Sequence, residues 1–131
     1  MNAAYVAVVD DEAPLRAALR RLLHLADYDV STFGCGEEFL ESIPGHVPDC
    51  VLLDVHMPGL TGFDVQENLR GSSLDVPVIF ITANDDRSID EAASRAGCVC
   101  VLHKPFSNDT LLAAVSAALH SFNSTDPGTT P

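Results

Sequence analysis

The chain has 131 residues, 47% of them hydrophobic, which is typical of one globular domain with a core of its own. No apolar run approaches the roughly 18 residues that span a membrane, and the first residues lack the charged start of a signal peptide. We therefore expect a cytoplasmic protein without membrane partners. The net charge of −12 opposes direct nucleic-acid binding and suits a divalent cation or a basic partner, although solubility alone also accounts for it.

The four cysteines lack the Cys-x-x-Cys spacing of a structural zinc site. Cys98 and Cys100 alternate with valines, which predicts that both side chains point to the same face of a strand. We interpret them as small, reduced hydrophobic residues rather than as metal ligands or redox groups.

In chain order, the first predicted strand is the aliphatic segment 5–9, which ends in the acidic triplet Asp10-Asp11-Glu12. Apolar residues then recur at helical spacing over 13–26, where a proline in the first turn is favourable. The segment 28–33 is more polar and suits an edge strand, and 37–43 forms a short helix. The first third of the chain thus alternates strand and helix twice.

The next strand is the centre of the prediction, because three aliphatic residues, 51–53, run directly into Asp54. A strand of Val and Leu alone is typical of a parallel sheet that helices cover on both faces. Pro58 and Gly59 prevent a long continuation, so Asp54 lies at or near the carboxyl end of the strand. Open α/β sheets form their sites at that end. Taken alone, Asp54 fits equally well as a residue that stops a strand before a turn.

The alternation continues through the second half of the chain. Helices are predicted over 62–70 and 88–96, the second of them sparsely apolar, and strands over 76–81 and 99–102. Ser107 is a preferred N-cap and begins a last helix with a continuous apolar face.

Five predicted strands that alternate with five helices indicate a parallel sheet with helices on both faces, a three-layer α/β sandwich with right-handed crossovers. A (βα)5 chain of this size fits the flavodoxin-like strand order 2-1-3-4-5. We assign residues 1–122 to this domain. The polar segment 123–131 is expected to be a disordered tail or the start of a linker, and the sequence leaves open whether the domain acts alone.

Polar residues follow four of the strands: Asp10 and Asp11 the first, Asp54 the third, Thr82 the fourth and Lys104 the fifth. These strands are neighbours in the predicted order, so their carboxyl ends should converge in one crevice. Clustered carboxylates repel one another unless one is protonated or a cation binds. An open, oxygen-rich site favours Mg²⁺, with Mn²⁺ as the alternative. A carboxylate nucleophile, a metal ion and a lysine are the components of phosphoryl transfer.

At these positions the chain resembles, over residues 4–122, the receiver domains of two-component response regulators. Each matching motif is weak alone, but their joint appearance in order, each at a strand end, is specific. The motifs are the pair Asp10-Asp11, the Leu-Asp-x-x-Met-Pro-Gly segment around Asp54, Thr82-Ala83 and Lys104-Pro105-Phe106.

The resemblance implies that Asp54 is phosphorylated by a sensor histidine kinase or a histidine phosphotransfer protein. It further implies that Mg²⁺ binds to Asp10, Asp11, Asp54 and the backbone carbonyl of His56. In such a protein the phosphorylation changes a surface that binds an output partner, and the fourth helix, fifth strand and fifth helix are the expected partner or dimer surface. A receiver transfers the phosphoryl group to itself and is not a multi-turnover enzyme on external substrates.

The resemblance also assigns the residues that respond to phosphorylation. Thr82 and Ala83 would contact the phosphoryl group, Lys104 would form an ion pair with it, and the Lys104-Pro105 peptide bond would be cis. Receivers commonly carry an aromatic ring three positions before this lysine, where the present chain has Val101. This departure concerns how phosphorylation changes the surface of the protein rather than whether phosphorylation occurs.

Each residue also has a simpler interpretation when it is considered alone. Asp11 suits a helix N-cap, Lys104 an exposed lysine, Thr82 a strand-end hydroxyl, and His103 a strand end without a catalytic role. The alternative function is a receiver-like interaction scaffold that works without phosphorylation. A scaffold, however, has no need to keep the acidic pair, Asp54, Thr82 and Lys104 together. A flavin-binding protein is a third hypothesis, but it requires a Ser/Thr/Gly-rich loop where this chain has 10–12, Asp-Asp-Glu.

Overall fold

The computed structural model describes residues 3–83 and 87–124, except the side chains of 121–124. Five strands alternate with five helices along this part of the chain. The strands are β1 (Tyr5–Val9), β2 (Asp29–Phe33), β3 (Cys50–Asp54), β4 (Val78–Thr82) and β5 (Cys100–His103). The helices are α1 (Ala13–Leu25), α2 (Gly36–Ser42), α3 (Gly62–Gly71), α4 (Arg87–Arg95) and α5 (Asn108–Ser124).

The strands form one parallel sheet of order β2-β1-β3-β4-β5, which confirms the predicted topology. Every position of β1, β3 and β4 is buried, because helices cover both faces of these central strands. The more polar β2 lies at one edge and is partly exposed, as its composition predicts. The predicted boundaries differ from the observed ones by at most two residues.

Two hydrophobic clusters, one on each face of the sheet, follow from the alternation of side chains along the strands. Along β3, Leu52 belongs to the cluster that includes Leu23 of α1 and Leu111 of α5. Its neighbour Leu53 belongs to the other cluster, formed with α2, α3 and α4. Packed side chains therefore cover the sheet on both faces, and the carboxyl ends of its strands lie at one edge.

The prediction that Cys98 and Cys100 share a face is wrong. Cys98 packs against the α2–α3–α4 cluster, whereas Cys100 packs against the α1–α5 cluster. The reason is that β5 begins only at Cys100, so strand alternation does not extend to Cys98, which follows the left-handed Gly97 (φ +82°). All four cysteines are free thiols, and burial raises the pKa of Cys50 to about 12. That high pKa fits its interpretation as an unreactive core residue.

The last helix extends beyond the predicted boundary of the domain. Ser107 caps it as predicted, since the Ser107 hydroxyl accepts a hydrogen bond from the Thr110 N–H at 3.0 Å. The helix continues to Ser124, and the rest of the predicted tail, 125–131, lies outside the described residues. No helix in the described ranges is long and apolar enough to cross a membrane.

The start of α3 is built against the end of β3. Thr61 and Asp64 form a capping box, in which the Thr61 hydroxyl accepts from the Asp64 N–H and the Asp64 carboxylate accepts from the Thr61 N–H. Between them, Gly62 packs so closely that an added Cβ would lie 2.6 Å from the carbonyl oxygen of Asp54. Only glycine allows the helix to begin this close to the strand that carries Asp54.

We expect Gly62→Ala to lower the free energy of unfolding by about 1–3 kcal/mol, because the new methyl group must displace the backbone at Asp54. Urea denaturation measures this loss. Gly71→Ala, at the other end of the same helix, is the matched control, since nothing lies within 4 Å of its added Cβ. That control should be neutral or slightly stabilising, and equal losses in the two variants would contradict the packing argument.

Candidate functional site

Three carboxylates meet at the carboxyl edge of the sheet. Asp10 and Asp11 directly follow β1, and Asp54 is the last residue of β3. One carboxylate oxygen from each lies within 4.8 Å of the other two. Asp10 is fully buried, Asp54 is 4% exposed, and Asp11 is exposed. The structure thus brings together the three side chains that the sequence assigns to a metal site.

Asp10 is held in place by its surroundings. Its Oδ1 accepts a hydrogen bond from the Glu12 N–H at 2.8 Å, and its carbonyl oxygen accepts one from Arg16 Nη1 at 2.7 Å. The buried Oδ2 has no hydrogen-bond partner within the described part of the chain. Burial raises the pKa of Asp10, since desolvation disfavours its charged form.

Lys104 brings a positive charge to these carboxylates. Its Nζ lies 3.4 Å from Asp10 Oδ2, 3.9 Å from Asp54 Oδ2 and 2.5 Å from Glu12 Oε1. Burial alone would lower the pKa of Lys104, but the hydrogen bond to Glu12 and the charges of Asp54 and Asp10 raise it. The ammonium group therefore stays charged and is shared between three acidic groups.

Asp54 is the group whose protonation is most altered by the site. Burial raises its pKa to about 7, and the negative charge of Asp10 acts in the same direction. Lys104 and the His56 N–H, which donates to Asp54 Oδ1 at 3.2 Å, oppose the rise without cancelling it. Because the pKa of this buried carboxyl stays raised beside Lys104, more positive charge than one lysine is needed to keep it ionised.

The donor set fits a hard divalent cation. Mg²⁺ prefers carboxylate and carbonyl oxygens and retains several waters, so an arrangement open on the side of the exposed Asp11 suits it. Asp10 Oδ2 accepts no hydrogen bond in the described part of the chain and has the Lys104 ammonium group 3.4 Å away, so it is free to act as a ligand atom for a cation. His56 is exposed next to this group, and the role of its backbone carbonyl as a ligand stays a prediction.

The predicted response residues lie on the adjoining strands. Thr82 is fully buried at the end of β4, and its carbonyl oxygen accepts a hydrogen bond from the Lys104 N–H at 2.8 Å. Ala83 follows on the exposed side. The Lys104-Pro105 peptide bond is cis, as the resemblance implies. Val101 is half-buried in the α2–α3–α4 cluster, where it supplies no aromatic ring.

Glu12 is a residue whose role the sequence did not reveal. It is the third member of the acidic triplet and is 59% exposed at its side chain, yet it makes the shortest of the three contacts with the Lys104 ammonium. The signal was present in the sequence, because a third acid beside the pair has the same access to the rim. Its contact with a lysine 92 positions later depends on side-chain conformation, which composition does not predict.

Comparison with known proteins adds independent findings. The family model for the response regulator receiver domain matches residues 6–116. Nodulation protein W of Bradyrhizobium diazoefficiens is 39% identical over 115 residues, which cover 88% of this chain and 51% of that protein. Transcriptional regulatory protein TdiR of Thauera aromatica is 39% identical over 118 residues, which cover 90% of this chain and 52% of that protein. The chain spans about half the length of these curated relatives.

A solved structure supports the same likeness. The response regulator receiver protein from Burkholderia phymatum superposes with a TM-score of 0.81 at 44% sequence identity. The match covers 89% of this chain and 95% of that one. Here the similarity extends over nearly the whole of both chains, whereas with the curated relatives it is confined to about half of the longer protein.

Proposed function

The chain belongs to the receiver-domain family of response regulators, and we propose that it accepts a phosphoryl group on Asp54 from a sensor histidine kinase or a histidine phosphotransfer protein. The observation that carries the proposal is the position of Asp54. Its buried carboxylate ends β3 between two further carboxylates and a lysine. This arrangement combines a nucleophile with groups that can hold a phosphoryl group.

In this proposal Asp10, Asp11, Asp54 and the His56 carbonyl hold Mg²⁺. When bound, the ion neutralises these carboxylates and the phosphoryl oxygens. The phosphorus–nitrogen bond of a phosphohistidine breaks as an Asp54 carboxylate oxygen forms a new phosphorus–oxygen bond, and the electron pair leaves with the imidazole. Lys104 forms an ion pair with the transferred group.

The consequence of the reaction is a change of surface rather than turnover of an external substrate. The Thr82 hydroxyl and the Ala83 N–H donate to the phosphoryl oxygens, and this new contact favours a second conformation of the protein. We assign the partner surface, or a homodimer interface, to α4, β5 and α5, and we place the reaction in the cytoplasm. The protein that this surface binds carries the output.

Incubation with phosphorylated candidate kinases, or with acetyl phosphate and Mg²⁺, should add one phosphoryl group to the intact protein, which mass spectrometry detects. Asp54→Asn should abolish the addition, because the nucleophilic carboxylate is replaced by an amide. Asp75→Asn, which changes an exposed carboxylate before β4, is the matched control and should be phosphorylated normally. Removal of Mg²⁺ with a chelator should also prevent the reaction.

The same experiment separates the proposal from a phosphorylation-independent scaffold. A scaffold should neither bind Mg²⁺ nor gain mass from any phosphodonor, and its partner binding should be the same in Asp54→Asn. Addition of the phosphoryl group to Asp54→Asn at the wild-type level would place the acceptor elsewhere and overturn the assignment.

A further inference from the structure

A polar contact joins α4 to the sheet beside the phosphoryl site. His103, the last residue of β5, places its Nε2 at 2.9 Å from Oδ1 of Asp90 in the first turn of α4. An ionised carboxylate can only accept, so Nε2 carries the hydrogen in this contact. The two side chains are 33% and 47% exposed, which leaves the pair free to open without disruption of the core.

Among the described residues, α4 buries little apolar surface against the sheet. Ala93 is its one fully buried residue among those described, and Ile89 is half-buried in the cluster beneath it. Alanine buries little apolar area, so packing contributes less here than it does for α3, where Val65 and Leu69 are buried. Helices with few buried apolar contacts are the ones that open or shift at low cost. The His103–Asp90 pair thus adds a polar contact to a helix with little buried apolar surface.

The His103–Asp90 pair lies next to Thr82, one of the residues predicted to respond to phosphorylation. His103 lies opposite Thr82 in the register of β4 and β5, and the next residue, Lys104, donates its N–H to the Thr82 carbonyl oxygen. Val101 lies two positions earlier on the same face of β5 and packs against the cluster that includes Ile89. Val101 and His103 both face α4, and His103 is the larger of the two side chains.

We propose that the His103–Asp90 pair holds α4 in its resting position and relays the state of Thr82 to that helix, which makes His103 a positioning residue. The inference rests on the proposed function, because Thr82 gains a new partner only when Asp54 is phosphorylated. Movement of Thr82 toward Asp54 displaces the strand end that carries His103, and the contact with Asp90 weakens. α4 then leaves its resting position. This relay works without an aromatic ring at position 101, where the chain has Val101.

The test compares hydrogen exchange of the α4 amides in the full chain with and without beryllofluoride and Mg²⁺. In the free protein, Asp90→Ala should exchange about fivefold faster than the wild type, because a hydrogen bond between partly exposed side chains has been removed. Beryllofluoride should accelerate exchange in the wild type and add little in Asp90→Ala. Since coupling is reciprocal, beryllofluoride should also bind Asp90→Ala roughly fivefold more tightly.

Glu91→Ala is the matched control, because Glu91 is the neighbouring exposed acid on α4 and its removal changes the net charge by the same amount. It should behave as the wild type in both conditions. In the His103→Ala background, Asp90→Ala should cause no further acceleration of exchange, since the contact that it removes is already lost. Wild-type exchange and binding in Asp90→Ala, or the same effect from Glu91→Ala, would overturn the proposal.

The two conditions also separate this inference from the proposed function. The measurement without beryllofluoride tests the pair alone, whatever Asp54 does. If beryllofluoride fails to bind the wild type, the proposed function fails. If it binds and α4 exchange is unchanged, the relay fails while the phosphoryl site stands.

Discussion

Lys104→Gln should lower the free energy of unfolding by about 3 kcal/mol at pH 8 without a divalent cation, because it removes the ammonium group from two buried carboxylates. Asp10 is fully buried, Asp54 is 4% exposed, and Lys104 Nζ lies within 4 Å of an oxygen of each. Loss of the positively charged partner in such an arrangement leaves buried negative charges that repel each other. Urea denaturation in the presence of a chelator measures the loss.

Two changes of solution conditions should each reduce this loss of stability. Saturating Mg²⁺ should restore part of the stability, since a bound cation replaces the missing charge and stabilises only the folded state. Acidification from pH 8 to pH 6 should also reduce the loss, because a proton on Asp54, whose pKa is raised to about 7, relieves the same repulsion. A loss that is equal in all three conditions would indicate a packing defect instead of an electrostatic one.

Glu12→Gln is the control for Lys104→Gln. Glu12 contacts the same ammonium group, but its side chain is 59% exposed, and exposed ion pairs contribute less than about 1 kcal/mol. Its removal should therefore leave stability nearly unchanged. If Lys104→Gln lowered the free energy of unfolding as little as Glu12→Gln, the lysine would not be needed to compensate the charges of Asp10 and Asp54. The interpretation of the site as a cluster of mutually repelling buried carboxylates would then be wrong.

The sequence predicted the fold because its strongest signals are local. Aliphatic strands such as 51–53, bounded by proline and glycine, determine the elements, and their alternation with helices leaves few topologies. The topology in turn predicted that Asp10, Asp54 and Lys104 converge, since neighbouring parallel strands end at one edge. Convergence of strand ends needs no knowledge of side-chain conformations.

What the sequence did not reveal depends on side-chain conformation and on where an element begins. The contact of Glu12 with Lys104 and that of His103 with Asp90 each join exposed or half-exposed side chains from different parts of the chain. Several conformations of each side chain are compatible with the same backbone, so spacing alone does not select the partner. The prediction for Cys98 was wrong for the second reason. Strand β5 begins at Cys100, one residue later than predicted, so the alternation of side chains does not include Cys98.

Asp54→Asn should raise the free energy of unfolding by about 1–3 kcal/mol at pH 8 in the absence of a divalent cation. The wild-type carboxyl has a folded-state pKa of about 7 against an ordinary value of 3.8, so the folded protein retains a proton that the unfolded chain releases between these values. Wild-type stability therefore falls as the pH rises from about 4 to 7 and stays low above that range. A shift of this size corresponds to at most about 4 kcal/mol.

Asparagine keeps the shape of the side chain without the charge, so Asp54→Asn should lose most of this pH dependence and retain the part that comes from Asp10, whose pKa is also raised. Mg²⁺ should stabilise the wild type more than the variant, because the variant has one carboxylate fewer to offer the ion. Urea titrations at pH 5 and pH 8, with and without Mg²⁺, measure all three effects. An equal or lower free energy of unfolding for Asp54→Asn at pH 8 would show that the buried carboxylate carries no electrostatic cost, and the need for a cation would lose its physical basis.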